Sequence, residues 1–251
     1  AASHVDRVGE AAGECGTHVH VLVEIDVGAS RCGVADPEQA LLLAQQIEAY
    51  PNLSFGGLQA YQGSAQHKRS LEERRAAIDE AVRRTRATVD LLANHGLACP
   101  IVGGAGTGTF ELELKSGVYT ELQAGSYVFM DADYARNQTG NNEPFSEFRQ
   151  SLHVLTTVMS TAAGHAVVDA GHKAQSADSG LPEVADIPNA RYVRPSDEHA
   201  IIQCDDAAHT PTLGQKIRLI PGHCDPTVNL YDWLVGVRVG RVESLWPITA
   251  R

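Results

Sequence analysis

An imidazole, a thiol and a carboxylate occupy three consecutive positions, His223, Cys224 and Asp225, inside a segment bracketed by prolines (residues 221–227). Because prolines fix φ and suppress regular hydrogen bonding, the segment is predicted to be extended. A strand-like run, Lys216–Ile220, leads into it. Alternate side chains of an extended backbone share a face, which places His223 and Asp225 on one side and Cys224 on the other.

The His223 and Asp225 side chains suit a divalent cation. One imidazole nitrogen and one carboxylate oxygen are acceptable ligands for Mn, Mg or Zn. Two protein ligands are too few to close a structural zinc site, so coordination positions would remain for water or substrate. Spacing alone leaves a second interpretation open, in which the segment is a proline-rich turn with incidental polar residues.

The chain that must position this pair has 251 residues, enough for one large domain or two modest ones. Its net charge of −11 and its lack of a basic patch argue against binding of nucleic acid. No apolar run approaches the roughly 18 residues needed to span a membrane, and the first residues lack the pattern of a signal peptide. The five cysteines are scattered and odd in number, which predicts a reducing, cytoplasmic compartment.

The first half of the chain alternates between strand and helix patterns. Residues 19–25 form a near-continuous β-branched run, typical of a strand buried on both faces. Ser70 is a candidate cap for a long amphipathic helix, with Glu73 three residues further on. Strands separated by helices of this length predict parallel βαβ units. The predicted strands are 19–25, 53–61 and 100–102, and the predicted helices are 5–15, 37–50 and 70–95.

After about residue 131 the pattern changes to short β-rich segments separated by Gly, Pro, Asp and Asn, with a polar loop at 137–147. This half is predicted to be an antiparallel β domain. The predicted domains are therefore 1–131 and 132–251. The predicted strands of the second domain are 153–160, 165–168, 200–203, 216–220, 234–239 and 241–246.

Active sites of parallel α/β barrels gather at the C-terminal ends of the strands, so polar residues there are candidates. Arg31 follows the first strand on a glycine-bracketed turn. It would either contact a phenolate or anionic ligand or pair with Asp26. After the second strand, residues 61–67 offer a phenol, an amide, a hydroxyl and an imidazole. His67 would act there as an acid or base near neutral pH, or be structural.

A glycine-rich loop, residues 103–109, follows the third strand. Its four glycines and two threonines would expose backbone N–H groups and hydroxyls to an anion such as phosphate. It lacks both the Lys-Ser/Thr of a Walker loop and the spacing of a dinucleotide fingerprint, and a tight turn without a ligand stays the alternative. Residues 125–131 place Ser126 and Tyr127 beside one more predicted strand, where they could complete a phosphate-binding cup.

Taken together, these blocks resemble the D-threonine aldolase and D-serine dehydratase group of fold type III pyridoxal-phosphate enzymes, which are relatives of alanine racemase. The resemblance implies a partial (β/α)8 barrel of the alanine-racemase type that holds the cofactor, followed by a C-terminal antiparallel β domain that supplies metal ligands. It covers essentially the whole chain and rests on six blocks in the right order: residues 23–34, 61–67, 103–110, 125–131, 223–225 and 241–248.

The resemblance also implies roles for individual residues. It places Arg31 and Tyr61 near the ring of pyridoxal 5′-phosphate and His67 near the β-hydroxyl of the substrate. His223 and Asp225 match the metal pair. The other positions implied to bind the cofactor are Gln66, Gly106, Thr107, Gly108, Ser126 and Tyr127.

The metal motif separates the two subfamilies. In the dehydratases the pair is generally His-x-Cys, whose thiolate favours zinc, whereas His-x-Asp favours Mn or Mg. The resemblance thus implies a homodimeric lyase that cleaves D-3-hydroxy amino acids of the D-threonine type to glycine and an aldehyde. The metal would lower the pKa of the β-hydroxyl, and His67 or a metal-bound hydroxide would remove its proton. A dehydratase acting on D-serine or hydroxyaspartate is one alternative, and a non-catalytic fragment of this fold is the other.

One family feature is missing from the chain. The lysine that forms a Schiff base with the cofactor lies in the family on the first barrel strand, before the region matched here. None of the four lysines of this chain is in that context: Lys68, Lys115, Lys173 and Lys216. We therefore expect that about the first third of the enzyme is absent from this sequence, and that this chain alone does not perform normal turnover.

Overall fold

Strand and helix alternate through the first unit of the computed structural model, which comprises residues 1–125 and 137–143. The structure describes residues 1–249. Four strands form a parallel sheet in the order β1-β2-β3-β4, as the βαβ pattern predicts. The strands are β1 (Val19–Glu24), β2 (Leu53–Gln59), β3 (Ile101–Gly104) and β4 (Glu121–Leu122), and the helices are α1 (Ala2–Glu14), α2 (Pro37–Glu48), α3 (Leu71–Asn94) and α4 (Phe110–Ser116).

The predicted starts of α2 and α3 are confirmed by their caps, whereas α1 begins at Ala2 and not at the predicted residue 5. The Asp36 carboxylate accepts a hydrogen bond from the Glu38 amide at 3.0 Å at the start of α2. At the start of α3, the Ser70 hydroxyl accepts from the Glu73 amide at 3.2 Å and donates to the Glu73 carboxylate at 2.9 Å. The core of this unit consists of buried apolar side chains, among them Val23, Ile47, Leu58, Leu92 and Val102.

The second unit comprises residues 126–136 and the chain from residue 144 onward. Six strands close into a barrel in the order β10-β5-β6-β9-β8-β7, and all their pairings are antiparallel, as predicted for this half. Two further strands, β11 (Trp233–Arg238) and β12 (Arg241–Pro247), form a separate hairpin. The barrel strands are β5 (Val154–Ala162), β6 (His165–Val168), β7 (Glu183–Val184), β8 (Ala190–Pro195), β9 (Ala200–Cys204) and β10 (Lys216–Ile220), and two short helices are α5 (Ala132–Ala135) and α6 (Cys224–Val228).

The predicted extended backbone at residues 221–227 is wrong, because Cys224–Val228 forms α6 with His223 as its N-cap. Pro226 is the third helical residue, and a proline is tolerated in a first turn because amides there have no partner within the helix. The strand predicted beside residues 125–131 is present as β4, which ends three residues before Gly125, and Ser126–Val128 itself forms a 3₁₀ turn. The patterns did not predict α4, β7 or β8.

Residue 131 belongs to a segment of the second unit, and the predicted domain boundary after it stays a prediction. Among residues 1–249, none of the helices combines the length and the apolar character that crossing a membrane requires.

Candidate functional site

The turn after β1 presents Arg31 at the C-terminal edge of the sheet. The guanidinium carbon of Arg31 lies 5.9 Å from the centroid of the Tyr61 ring, within the range of a cation–π contact. Asp26 instead serves the turn, because its carboxylate accepts hydrogen bonds from the amides of Gly28 at 2.9 Å and Ser30 at 3.1 Å. These bonds, the one from Gly28 first, lower the pKa of Asp26. The two residues predicted near the cofactor ring are therefore neighbours.

The glycine-rich loop is folded around the side chain of Gln66, which is fully buried. Gln66 Oε1 accepts from the Gly108 amide at 2.9 Å, and Gln66 Nε2 donates to Thr109 Oγ1 at 2.8 Å. A Cβ atom at position 106 would lie 2.5 Å from Gln66 Oε1, so only glycine allows this approach. Gln66 therefore shapes the loop through both atoms of its amide, a contact that its position in the sequence does not reveal.

A buried carboxyl extends this network into α4. Thr109 Oγ1 donates to Glu113 Oε1 at 2.8 Å, and Glu113 is 1% exposed. Burial raises the pKa of Glu113. Within the part of the chain that the structure describes, Glu113 Oε2 has no hydrogen-bond partner. The loop thus rests on a chain of hydrogen bonds that runs from Gly108 through Gln66 and Thr109 to a carboxyl held away from water.

His67 closes a 3₁₀ turn (Gly63–His67), and its side chain is exposed. Two buried polar side chains, Asn137 and Arg74, donate hydrogen bonds to the backbone of this turn and of the residue after it. Asn137 Nδ2 donates to the Gln66 carbonyl at 2.9 Å, and the Arg74 guanidinium donates to the Lys68 carbonyl at 2.8 Å. Arg74 is 2% exposed and Asn137 fully buried, so these contacts fix the backbone on both sides of His67. Neither residue was predicted from the sequence to support the site.

Three residues with positive φ lie in the segments singled out by the sequence. They are Ser30 at +52°, Ala105 at +70° and Met130 at +53°. A side chain makes this conformation costly, and such residues persist where their surroundings hold them in place. Ser30 immediately precedes Arg31, and Ala105 lies within the glycine-rich loop.

His223 and Asp225 face each other across the start of α6. His223 Nε2 lies 3.4 Å from Asp225 Oδ2. Adjacent ligands of one cation, with bonds of about 2.1 Å, lie roughly 3.0–3.4 Å apart, so this spacing fits a shared divalent ion. Within residues 1–249 there is no group of three or more His, Cys, Asp or Glu side chains that could hold a metal. A cation on this pair would therefore take its other ligands from water or substrate.

The charges of this pair support the same interpretation. The hydrogen bond to Asp225 raises the pKa of His223 to about 9, with a further contribution from Asp178, although burial opposes the shift. The hydrogen bond from His223 lowers the pKa of Asp225 to about 2. In the charged ring, the proton on His223 Nε2 thus occupies the position between the two side chains that a divalent cation would take. Cys224 does not point away as predicted: its buried thiol donates to Asp225 Oδ2 at 3.3 Å, and burial raises its pKa.

Asp131 anchors the helix that carries this pair. Its fully buried carboxylate accepts from the Cys224 amide at 2.8 Å and from the Tyr134 amide at 2.9 Å. One side chain therefore caps the starts of both α5 and α6. Nearby, Ser126 Oγ donates to Asp225 Oδ2 at 3.3 Å, whereas the Tyr127 ring is exposed and lies 5.2 Å from that of Phe148. Of the two residues predicted to complete a phosphate cup, Ser126 thus contacts a predicted metal ligand.

Two family models match the chain. Residues 2–133 match the alanine racemase N-terminal domain, and residues 151–237 match the putative serine dehydratase domain. The first match covers residues 2–125 of the unit that holds the glycine-rich loop and residues 126–133 of the second unit. The second covers the barrel strands and α6.

The chain is also similar to individual proteins. A 3-hydroxy-D-aspartate aldolase from Paracoccus denitrificans (strain Pd 1222) is 49% identical over 244 residues, which cover 96% of this chain and 62% of that protein. A D-threonine aldolase from Arthrobacter sp. is 46% identical over 251 residues, covering 100% of this chain and 65% of that protein. The chain therefore spans slightly less than two thirds of these curated relatives.

A solved structure matches as well. The crystal structure of D-threonine aldolase from Filomicrobium marinum matches with a TM-score of 0.94 and 44% sequence identity. The match covers 98% of this chain and 67% of that chain.

Proposed function

The chain belongs to the alanine racemase family, in the group of the D-threonine and 3-hydroxy-D-aspartate aldolases, and we propose that it carries the cofactor cradle and metal pair of such an aldolase. The substrate class would be D-3-hydroxy amino acids, and the products glycine and an aldehyde. The observation that carries this proposal is the 3.4 Å separation between His223 Nε2 and Asp225 Oδ2. It supports a cation site with room for a substrate hydroxyl.

The metal pair would distinguish cleavage from dehydration. A bound divalent cation lowers the pKa of a hydroxyl that it contacts. In the dehydratases of the group that the chain resembles, a cysteine thiolate generally takes the position of Asp225. The hard carboxylate oxygen of Asp225 favours Mn or Mg over Zn. Cys224 is buried, its thiol donates to Asp225 Oδ2 at 3.3 Å, and burial raises its pKa, which argues against a role in place of that thiolate. The ligand set therefore supports the aldolase rather than the dehydratase.

The residues of the first unit would hold pyridoxal phosphate, which supplies an electron sink for the electrons left on the substrate Cα. The glycine-rich loop, shaped by Gln66, fits a phosphate group because its glycines allow close backbone approach. Arg31 and Tyr61 form a paired guanidinium and phenol suited to the ring. We assign Gly106, Thr107 and Gly108 to the phosphate, and Ser126 and Tyr127 to the same role in the second unit.

His67 would accept the proton of the substrate β-hydroxyl. Its imidazole is exposed, and its backbone is fixed by Asn137 and Arg74 on either side. Loss of that proton lets the oxygen on Cβ form a carbonyl while the Cα–Cβ bond breaks. The aldehyde leaves, and Cα then takes up a proton to give glycine. We further propose that the working enzyme is a cytoplasmic homodimer. Analytical sedimentation, which measures the mass of the assembly, tests the homodimer.

Product identity tests this function. Purified protein with pyridoxal phosphate and Mn²⁺ would be given D-threonine or L-threonine, and glycine, acetaldehyde, 2-oxobutanoate and ammonium would be quantified. Because none of the four lysines is in the context of the family's lysine, the reaction would be run with and without added ethylamine as a replacement amine. Asp225→Ala serves as the metal-site control.

With ethylamine as the replacement amine, we expect glycine and acetaldehyde in equal amounts from D-threonine only, dependent on Mn²⁺ and lost in Asp225→Ala. Without the amine we expect little or no product, because none of the four lysines is in the context of the family's lysine. Formation of 2-oxobutanoate and ammonium would contradict the aldolase and identify a dehydratase. No product under either condition would contradict catalysis by this chain and favour a non-catalytic role for its fold.

A further inference from the structure

The ring nitrogen of His223 that faces away from Asp225 lies against a second carboxylate. His223 Nδ1 is 2.9 Å from Asp178 Oδ2 and 3.1 Å from Asp178 Oδ1. An ionised carboxylate can only accept a hydrogen bond, so Nδ1–H donates to Asp178. This contact is shorter than the 3.4 Å between Nε2 and Asp225 Oδ2, which favours Nδ1 as the site of the single proton of the neutral ring. In the neutral ring, Nε2 is then left with its lone pair directed to the side of Asp225.

Asp178 is itself held in place by neighbouring hydroxyls. Ser176 Oγ donates to Asp178 Oδ1 at 2.5 Å, and Ser179 Oγ donates to Asp178 Oδ2 at 3.3 Å. The Ser179 hydroxyl also lies 3.2 Å from His223 Nδ1. Both carboxylate oxygens are therefore oriented before any ligand binds, even though the Asp178 side chain is 54% exposed.

The loop that carries Asp178 is fastened to α6 by a separate contact. Thr227 Oγ1 accepts from the Ser176 amide at 3.1 Å and donates to the His223 carbonyl at 2.7 Å. One hydroxyl thus links the backbone of the loop to the backbone of the histidine. Asp178 and His223 are 45 residues apart in sequence, and this link holds their two segments next to each other.

We propose that Asp178 is a positioning residue that holds His223 in the tautomer with its proton on Nδ1, so that Nε2 is kept for the divalent cation shared with Asp225. The proposal rests on the proposed function, because that cation is the one assigned to the aldolase. A carboxylate behind a metal-binding histidine fixes the ring orientation and raises the basicity of the ligand. Removing such a partner lowers metal affinity by about 10- to 100-fold.

The test measures Mn²⁺ affinity by titration calorimetry without substrate or cofactor. Asp178→Ala should weaken binding by about 10- to 100-fold, and Asp178→Asn by less because its amide oxygen can still accept from Nδ1–H. Ser176→Ala, which leaves the carboxylate but removes one of its hydroxyl partners, should give a smaller loss. Asp205→Asn is the matched control, because that carboxylate pairs with Arg191 on the surface, and it should leave the affinity unchanged.

A nitrogen-15 NMR experiment on the His223 ring separates this proposal from the proposed function. In metal-free protein at a pH above the titration of the ring, the proton should be on Nδ1, and Asp178→Ala should shift it toward Nε2. Equal Mn²⁺ affinity in Asp178→Ala and the wild type, or a proton on Nε2 in the wild type, would overturn the proposal. A wild type that binds no Mn²⁺ but keeps its proton on Nδ1 would support the positioning role and contradict the proposed function.

Discussion

Gln66 Oε1 accepts a hydrogen bond from the amide of Gly108 at 2.9 Å, which ties the turn carrying His67 to the glycine-rich loop. Because the two segments share one buried side chain, a change in the loop is transmitted to the turn. The same amide leaves no room for a side chain at position 106. The Gln66 side chain therefore fixes the conformation of the loop.

Gly106→Ala should weaken the binding of pyridoxal phosphate by at least about tenfold, because the added Cβ would lie 2.5 Å from Gln66 Oε1 and displace the loop. Cofactor fluorescence in an equilibrium titration measures this affinity. Gly140→Ala is the control, since its Cβ would meet only the end of the Leu71 side chain at 3.4 Å. Equal affinity of the two variants would contradict the assigned role of the loop.

Glu113→Gln should become more stable relative to the wild type as the pH rises. Burial raises the pKa of Glu113 above its ordinary value of 4.5, so the native state holds a proton that the unfolded state has lost. Wild-type stability from this group is full below pH 4.5 and falls as the pH rises through the raised pKa.

Urea unfolding at several pH values measures the difference between Glu113→Gln and the wild type. Glu111→Gln is the control on the same helix, because its exposed carboxylate pairs with Lys115. A pH-independent difference for Glu113→Gln would show that this carboxyl is not perturbed.

Asp131→Ala should lower the free energy of unfolding by about 2–4 kcal/mol, because it leaves two backbone amides, at the starts of α5 and α6, without their partner. It should also weaken Mn²⁺ binding, since α6 carries the metal pair. Thermal denaturation and calorimetry measure the two effects, with the exposed Asp205→Ala as control. A loss below about 0.5 kcal/mol, as for a surface substitution, would contradict this anchoring role.

Metal binding should release a proton at neutral pH. The pKa of His223 is raised to about 9, chiefly by its hydrogen bond to Asp225, whereas a cation needs the neutral ring. Apparent Mn²⁺ affinity should therefore rise by about tenfold per pH unit between pH 6.5 and 8.5.

Calorimetry in buffers of different ionisation enthalpy should report about one proton released per Mn²⁺ bound at pH 7. In the metal-free protein the opposite dependence holds: stability from the protonated ring is full below pH 6.5 and is lost as the pH rises through about 9. An affinity that does not change over this range would show that the ring is already neutral before the cation binds, and would contradict the raised pKa of His223.

Periodicity and local motifs predicted the elements whose causes are local. The Ser70–Glu73 capping box, the parallel strands and the later antiparallel strands depend on residues close in sequence. The His223–Asp225 pair was also predicted, but for the wrong reason, since a helix start rather than a strand brings the two side chains together. Pro226 argued against a helix in the sequence, but a proline is tolerated in the first turn of a helix.

The residues that support the site could not be predicted from the sequence. Asn137 contacts the Gln66 carbonyl across 71 positions, Asp131 contacts the Cys224 amide across 93, and Asp178 faces His223 across 45. Each is a polar residue of ordinary type in a loop or at a helix start. Only the packed fold shows which buried polar groups they satisfy.

Anomalous diffraction from crystals soaked in MnCl₂ tests whether His223 and Asp225 share one divalent cation. We predict an anomalous peak within bonding distance, about 2.0–2.3 Å, of both His223 Nε2 and Asp225 Oδ2, with no bond to Cys224 Sγ. A soaked crystal with no peak at this pair, or with its strongest peak on other side chains, would show that His223 and Asp225 do not form the metal site.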